Sequence, residues 1–118
     1  MIQQQELPEF IELSIPELSG QCKRAKCRNA YDIAKQMIKY TNKSIVESNV
    51  DAAKKCLILA EQLYKKGNAV IKNSIENVFV YSLTHTFFHE EIKKEKIMAI
   101  LPASLYELYK KQVIYSHL

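Results

Sequence analysis

The side chains of this sequence that could do chemistry are few, and most of them sit in pairs. Cys22 and Cys27 are separated by four residues, His85 and His89 by three, and Cys56 stands alone. On a helix an i, i+4 histidine pair points both rings to one side, which is the start of a zinc site. The cysteine spacing is looser than structural zinc usually shows, and Cys27 and His85 lie far apart along the chain. The expectation is therefore no metal and no cofactor, with Cys56 in the core, Cys22 and Cys27 exposed, and the histidines at a helix end. Thiol chemistry is the next candidate. Lys23, Arg24, Lys26 and Arg28 surround the first two cysteines, and nearby cations favour the thiolate. There is no Cys-x-x-Cys and no histidine close by in sequence. A solvated basic loop with incidental cysteines is the reading.

The same cluster, Lys23, Arg24, Lys26 and Arg28, is the candidate basic patch for nucleic acid, joined by Lys54-Lys55, Lys65-Lys66, Lys93-Lys94-Lys96 and Lys110-Lys111. Phosphate binding needs cations gathered on one face. Most of these pairs fall where a helix must be wet, and Glu90, Glu91 and Glu95 dilute the third group. A last candidate is the polar row Asn73, Glu76 and Asn77 inside an otherwise apolar helix. As a catalytic group Glu76 would be a general base, with His85 or a tyrosine as partner. A lone carboxylate specifies no reaction. The row is expected to be structural, paired across a buried helix contact.

The elements that carry these residues are helices. Gly and Pro number two and three, too few for an all-β fold that turns about every 8–12 residues. Ala30, Ile33, Ala34, Met37, Ile38 and Thr41 recur at helical spacing, as do Val50, Ala53, Leu57, Ala60 and Tyr64. Long helices are predicted near 30–42, 50–66 and 69–86. Gly67 is expected in the left-handed position after the second, and Asn68 as the cap of the third. The strand propensity of Val78-Phe79-Val80-Tyr81 is overridden by the helical period on both sides. A last helix opens at Leu101-Pro102 and carries Leu105, Leu108, Tyr109 and Gln112 along one side. Upstream, Glu6, Glu9, Glu12 and Glu17 mark an acidic arm of two short helical turns, which Gly20 should break. The fold class is all-α: a compact bundle of about five helices with antiparallel hairpins. A likeness between residues 33–37 and 59–63 suggests a solenoid-like variant. The chain reads as one domain, 1–118, with 1–28 as acidic arm plus basic loop and 29–118 as helical core.

Ala60-Glu61-Gln62-Leu63-Tyr64-Lys65-Lys66-Gly67-Asn68 and Lys72 to Ser82, with Asn29-Ala30-Tyr31 and the Leu101-Pro102 helix, carry a resemblance. Over residues 29–112 the chain resembles a family of small uncharacterised bacterial proteins, a domain of unknown function found mainly in Bacteroidetes. The resemblance implies a helical fold and a bacterial cytoplasm, and transfers no catalytic residue. In architecture alone the chain is also similar to small helical immunity proteins that bind toxins.

Location and partners follow from what remains. The N-terminus lacks the basic start and apolar run of an export signal, and no apolar run reaches the roughly 18–20 residues of a membrane span. An odd count of three cysteines fits reduced thiols in the cytoplasm. The expected function is a non-enzymatic helical protein–protein interaction module, binding a protein partner or its own copy and no membrane. Its seven tyrosines supply the residue type enriched at interface hot spots. The alternative is a nucleic-acid-binding protein using the basic 23–28 cluster.

Overall fold

Leu7, Ile11, Ile15 and Leu18 fall three or four residues apart, and all four are buried. They set the first two helices of a computed structural model that describes residues 1–116; the remaining residues of the expected domain, 117–118, lie outside the described ones. A short 3-10 turn, Gln4–Glu6, leads into α1 (Leu7–Ser14), and Ile15 in non-helical backbone (φ −142, ψ 89) separates it from α2 (Pro16–Arg24). Proline opens both helices, where its missing N–H has no helical partner to lose. Gly20 does not break the helix as expected. Leu18 and Ser19 beside it are buried, and their packing carries α2 through the glycine to Arg24. The arm is thus a pair of packed helices contributing to the same core as the rest of the chain.

α3 (Ala30–Val46) starts on a reciprocal cap. The Asn29 carboxamide oxygen accepts from the Asp32 amide at 2.9 Å, while the Asp32 carboxylate accepts from the Arg28 amide at 3.0 Å. The helix runs past its expected end near 42, because Ser44 and Ile45 are buried and the Ser44 hydroxyl donates to the Tyr40 carbonyl at 2.8 Å. Ser48, at φ 59, then takes the left-handed turn position, and the Asn49 amide donates back to the Ser44 carbonyl. α4 (Val50–Lys66) packs back on α3 as a hairpin, with Asn49 capping it.

Gly67 corrects a second expectation. Its backbone is extended (φ −77, ψ 160), and the reason for glycine is space. A Cβ there would stand 2.5 Å from both Ile71 Cγ2 and the Leu63 carbonyl oxygen. The N-terminus occupies the same junction: the Ile2 amide donates to the Lys66 carbonyl at 2.7 Å and the Asn68 amide to the Ile2 carbonyl at 2.9 Å.

The third long helix runs from 69 to 89, beyond its expected end at 86, and is not uniform. It is built of α5 (Ala69–Ser74), a π-helical segment (Ile75–Val80) and α6 (Tyr81–His89). Five of its buried apolar residues, Ile71, Ile75, Phe79, Leu83 and Phe87, recur every four positions, and Val80 is buried beside them. In a regular α-helix each four-residue step overshoots a turn by about 40°, so this stripe would wind away from the core. The wider π turn absorbs the drift and keeps the stripe on one side. The segment packs on both α3 and α4, which makes the three a bundle. α7 (Glu91–Met98) and α8 (Ala103–Ser116) close the structure, held by Ile97, Leu105 and Leu108.

Candidate interaction surface

Extending α3 to Val46 brings its last turn beside the corner between α6 and α7. Glu90 makes that corner with φ −138 and ψ 88, and its amide donates to the Thr86 carbonyl at 2.8 Å. The two elements enclose an open groove of about 510 Å³ lined by Ile45, Val46, Glu90, Glu91, Ile92, Lys93 and Lys96. Ile45 is buried and forms part of its floor, whereas Val46 and Ile92 are 68% and 71% exposed. The Lys93 ammonium lies 3.1 Å from the Glu90 carboxylate, so the polar rim is partly self-neutralised. Just before the corner, Tyr81, His85 and Phe88 stand exposed at i, i+4 and i+7 along α6. The imidazoles of His85 and His89 lie 4.5 Å apart between ring centroids, at the helix end where sequence placed them. No group of three metal-ligating side chains gathers among the described residues.

The polar row is not the buried anchor expected from sequence. Asn73 and Asn77 face solvent. Glu76 is partly buried and pairs with Lys111 at 3.5 Å. The core covers the side carrying Ile71 to Phe87 and α8 covers part of a second, which leaves both asparagines on the side open to solvent. The buried pairing here runs through α8 instead. Gln112 Nε2 donates to the Glu76 backbone carbonyl at 2.8 Å, and the Thr84 hydroxyl lies 3.0 Å from both Gln112 Oε1 and the Val80 carbonyl oxygen. A π segment disturbs the regular backbone bonding of its helix, and Gln112 satisfies a carbonyl within it.

Lys23, Arg24, Lys26 and Arg28 are brought together and exposed, at the end of α2 and in the turn after it. Two of the four have acidic partners, Glu12 at 3.9 Å from Lys23 and Asp32 at 3.4 Å from Arg28. The Arg28 backbone N–H holds the Asp32 carboxyl below its ordinary range. The cysteines beside them are half-buried, not exposed as expected. The cations do not prevail over that burial: it pushes the Cys22 thiol up to about 12 and raises Cys27 as well. Cys56 is buried in the core as expected, its thiol 3.5 Å from the Met37 carbonyl oxygen, and burial pushes it up to about 12.

Sequence reasoning missed Glu61. It is buried, and its Oε1 accepts from the Ser104 amide at 3.2 Å in the first turn of α8. Lys65 lies 3.7 Å away, one turn along α4. The other oxygen, Oε2, is buried without a hydrogen-bond partner among the described residues. The signal was present: position 61 follows Ala53 and Leu57 at four-residue intervals, on the apolar stripe. A carboxylate there needs a donor, and a helix N-terminus supplies one.

No helix among the described residues is long and apolar enough to cross a membrane. No curated protein and no solved structure matches the chain. A family model does match, and it extends over residues 7–115, from the first residue of α1 into the last turn of α8. The chain belongs to that family, described as a domain of unknown function (DUF7674).

Proposed function

We propose that this protein works by binding another protein, not by catalysis, and that the groove between α3 and α7 receives the partner. The observation that carries this reading is the pairing of Val46 and Ile92, two strongly exposed aliphatic side chains on separate elements, across one groove. Covering them removes apolar surface from water at about 25 cal/mol per Å². The apolar floor with a charged rim of Glu90, Glu91, Lys93 and Lys96 suits the apolar face of an amphipathic helix with charges of both signs at its edges. Phe88 on α6, two residues before the Glu90 corner, offers an exposed aromatic anchor. Cytoplasm is the compartment this reading assumes.

The test is a photo-crosslinking residue placed at Val46, at Ile92 and, as control, at the exposed Lys35, in cells of the native host. Crosslinks to one discrete protein from both groove positions and none from Lys35 support the reading. A band at twice the chain's own mass identifies the partner as a second copy. Equal labelling from all three positions, or none from the groove, refutes it. A nucleic-acid reading has one observation in its favour, the exposure of all four cations of the 23–28 cluster, and two against it, the acidic partners of Lys23 and Arg28. Salt-dependent retention of labelled DNA or RNA, lost on replacing Arg24 and Lys26, would favour it.

A further inference from the structure

The turn that ends α2 brings two thiols together. The Cys27 amide donates to the Cys22 carbonyl at 3.1 Å and the Lys26 amide to the Lys23 carbonyl at 3.2 Å, with Lys26 at φ 56. This is the Schellman pattern of helix termination, in which the first and last side chains of the motif meet, usually as an apolar contact. Here the two side chains are Cys22 and Cys27, which occupy those two positions of the motif. Both cysteines line a cavity of about 250 Å³ walled by Pro8, Ile11 and Ile33, with Lys23 and Lys26 at its rim. The pair is therefore brought together by backbone geometry, on one cavity open to a small reactant. Glu12 and Asp32 offset two of the surrounding cations, and Arg24 and Lys26 remain to attract an anion.

We propose that Cys22 and Cys27 form a reversible intramolecular disulfide by exchange with anionic low-molecular-weight disulfides. Cys27 gives its proton to water and attacks first, because Cys22 is the more deeply buried of the two. Its sulfur bonds to one sulfur of the small disulfide, the S–S bond of that molecule breaks, and one small thiolate leaves and takes a proton from water. The Cys22 thiol then gives its proton to water and attacks the Cys27 sulfur, and the second small thiolate departs. Two protein thiols and one small disulfide become one protein disulfide and two small thiols, with two electrons passing to the small molecule. The cross-link fastens the last turn of α2 to the residue after Lys26. This proposal is independent of the groove between α3 and α7.

The experiment follows the reduced full chain during incubation with oxidised glutathione, which is anionic, and in parallel with cystamine, which is cationic. Non-reducing peptide mapping by mass spectrometry reads the products. The expected result is linkage of the peptides carrying Cys22 and Cys27, reversal by dithiothreitol, and a free Cys56. Cys22→Ser should stop at a glutathione adduct on Cys27. Replacing Arg24 and Lys26 together with Gln should slow oxidised glutathione by about tenfold at low salt, the scale of electrostatic steering, without slowing cystamine. Should Cys22→Ser fail to fold, the parent still decides, since the linked peptides either form or do not. Absence of the link in folded protein, or reaction at Cys56 instead, overturns the proposal. Equal rates for both small disulfides in the parent overturn the assigned class.

Discussion

Replacing Glu61 with alanine removes a side chain that hydrogen-bonds from α4 to the first turn of α8. Its carboxylate accepts the Ser104 amide at 3.2 Å, and a hydrogen bond to a charged group contributes about 1.5–3 kcal/mol. A negative charge at a helix N-terminus adds about 0.3–1 kcal/mol. Against this, Oε2 is buried without a partner, and relieving such a group returns about 1 kcal/mol or more. The net loss is then about 1–3 kcal/mol, which for a chain of this size lowers Tm by roughly 4–15 °C. Glu61→Gln keeps an acceptor for Ser104 but loses the charge, and should fall between parent and alanine. Lys65 is the control, because its side chain is 61% exposed and 3.7 Å from Glu61; a cation that stays in water contributes to such a pair within about 1 kcal/mol. Thermal melts by circular dichroism read all three variants. If Glu61→Ala melts with the parent, or Lys65→Ala costs as much as Glu61→Ala, the carboxylate does not act as the cap of α8.

Gly67→Ala should destabilise by about 1–3 kcal/mol, the usual cost of overpacking, because its Cβ would meet Ile71 and the Leu63 carbonyl at 2.5 Å; a urea midpoint equal to the parent's would contradict this. Gln112→Ala, which leaves the Glu76 carbonyl without its donor, should cost about 1–3 kcal/mol, whereas Asn73→Ala and Asn77→Ala should each stay within about 0.5 kcal/mol. The reverse order in thermal melts would restore the polar row as an anchor. Alkali should weaken the fold. Burial pushes Cys22 and Cys56 from 9.0, and burial with the Glu17 hydrogen bond pushes Tyr40 from 10.0, each to about 12. The folded chain thus keeps protons that the unfolded chain releases, so stability present below pH 9 is lost as pH rises toward about 12. Denaturation midpoints measured in steps from pH 8 to 11 should fall, and a flat profile would refute the assignment.

Much of the fold was legible because local rules decided it. The apolar spacing of Ala30–Thr41 and Val50–Tyr64 defined two helices, and Asn68 caps the third as its position suggested. Helix ends were less legible. Whether Ser44 and Ile45 extend α3, or Gly20 interrupts α2, depends on what packs against those turns, and no local propensity contains that. The π segment left a trace, the four-residue recurrence from Ile71 to Phe87, but reading it requires knowing that one face must stay on the core throughout.

The functional candidates divide along the same line. Residue type and spacing by themselves determined that the chain is helical, that Cys56 belongs to its core, and that cations crowd Cys22 and Cys27, since each follows from neighbours along the chain. Only tertiary structure decided that Val46 meets Ile92 across a groove, that Glu61 caps a helix 43 residues away, and that burial outweighs nearby cations at Cys22. The physical reason is that desolvation and apolar exposure depend on which distant segments cover a side chain. Sequence neighbours set charge and propensity, while packing sets the dielectric and the partners in which they act.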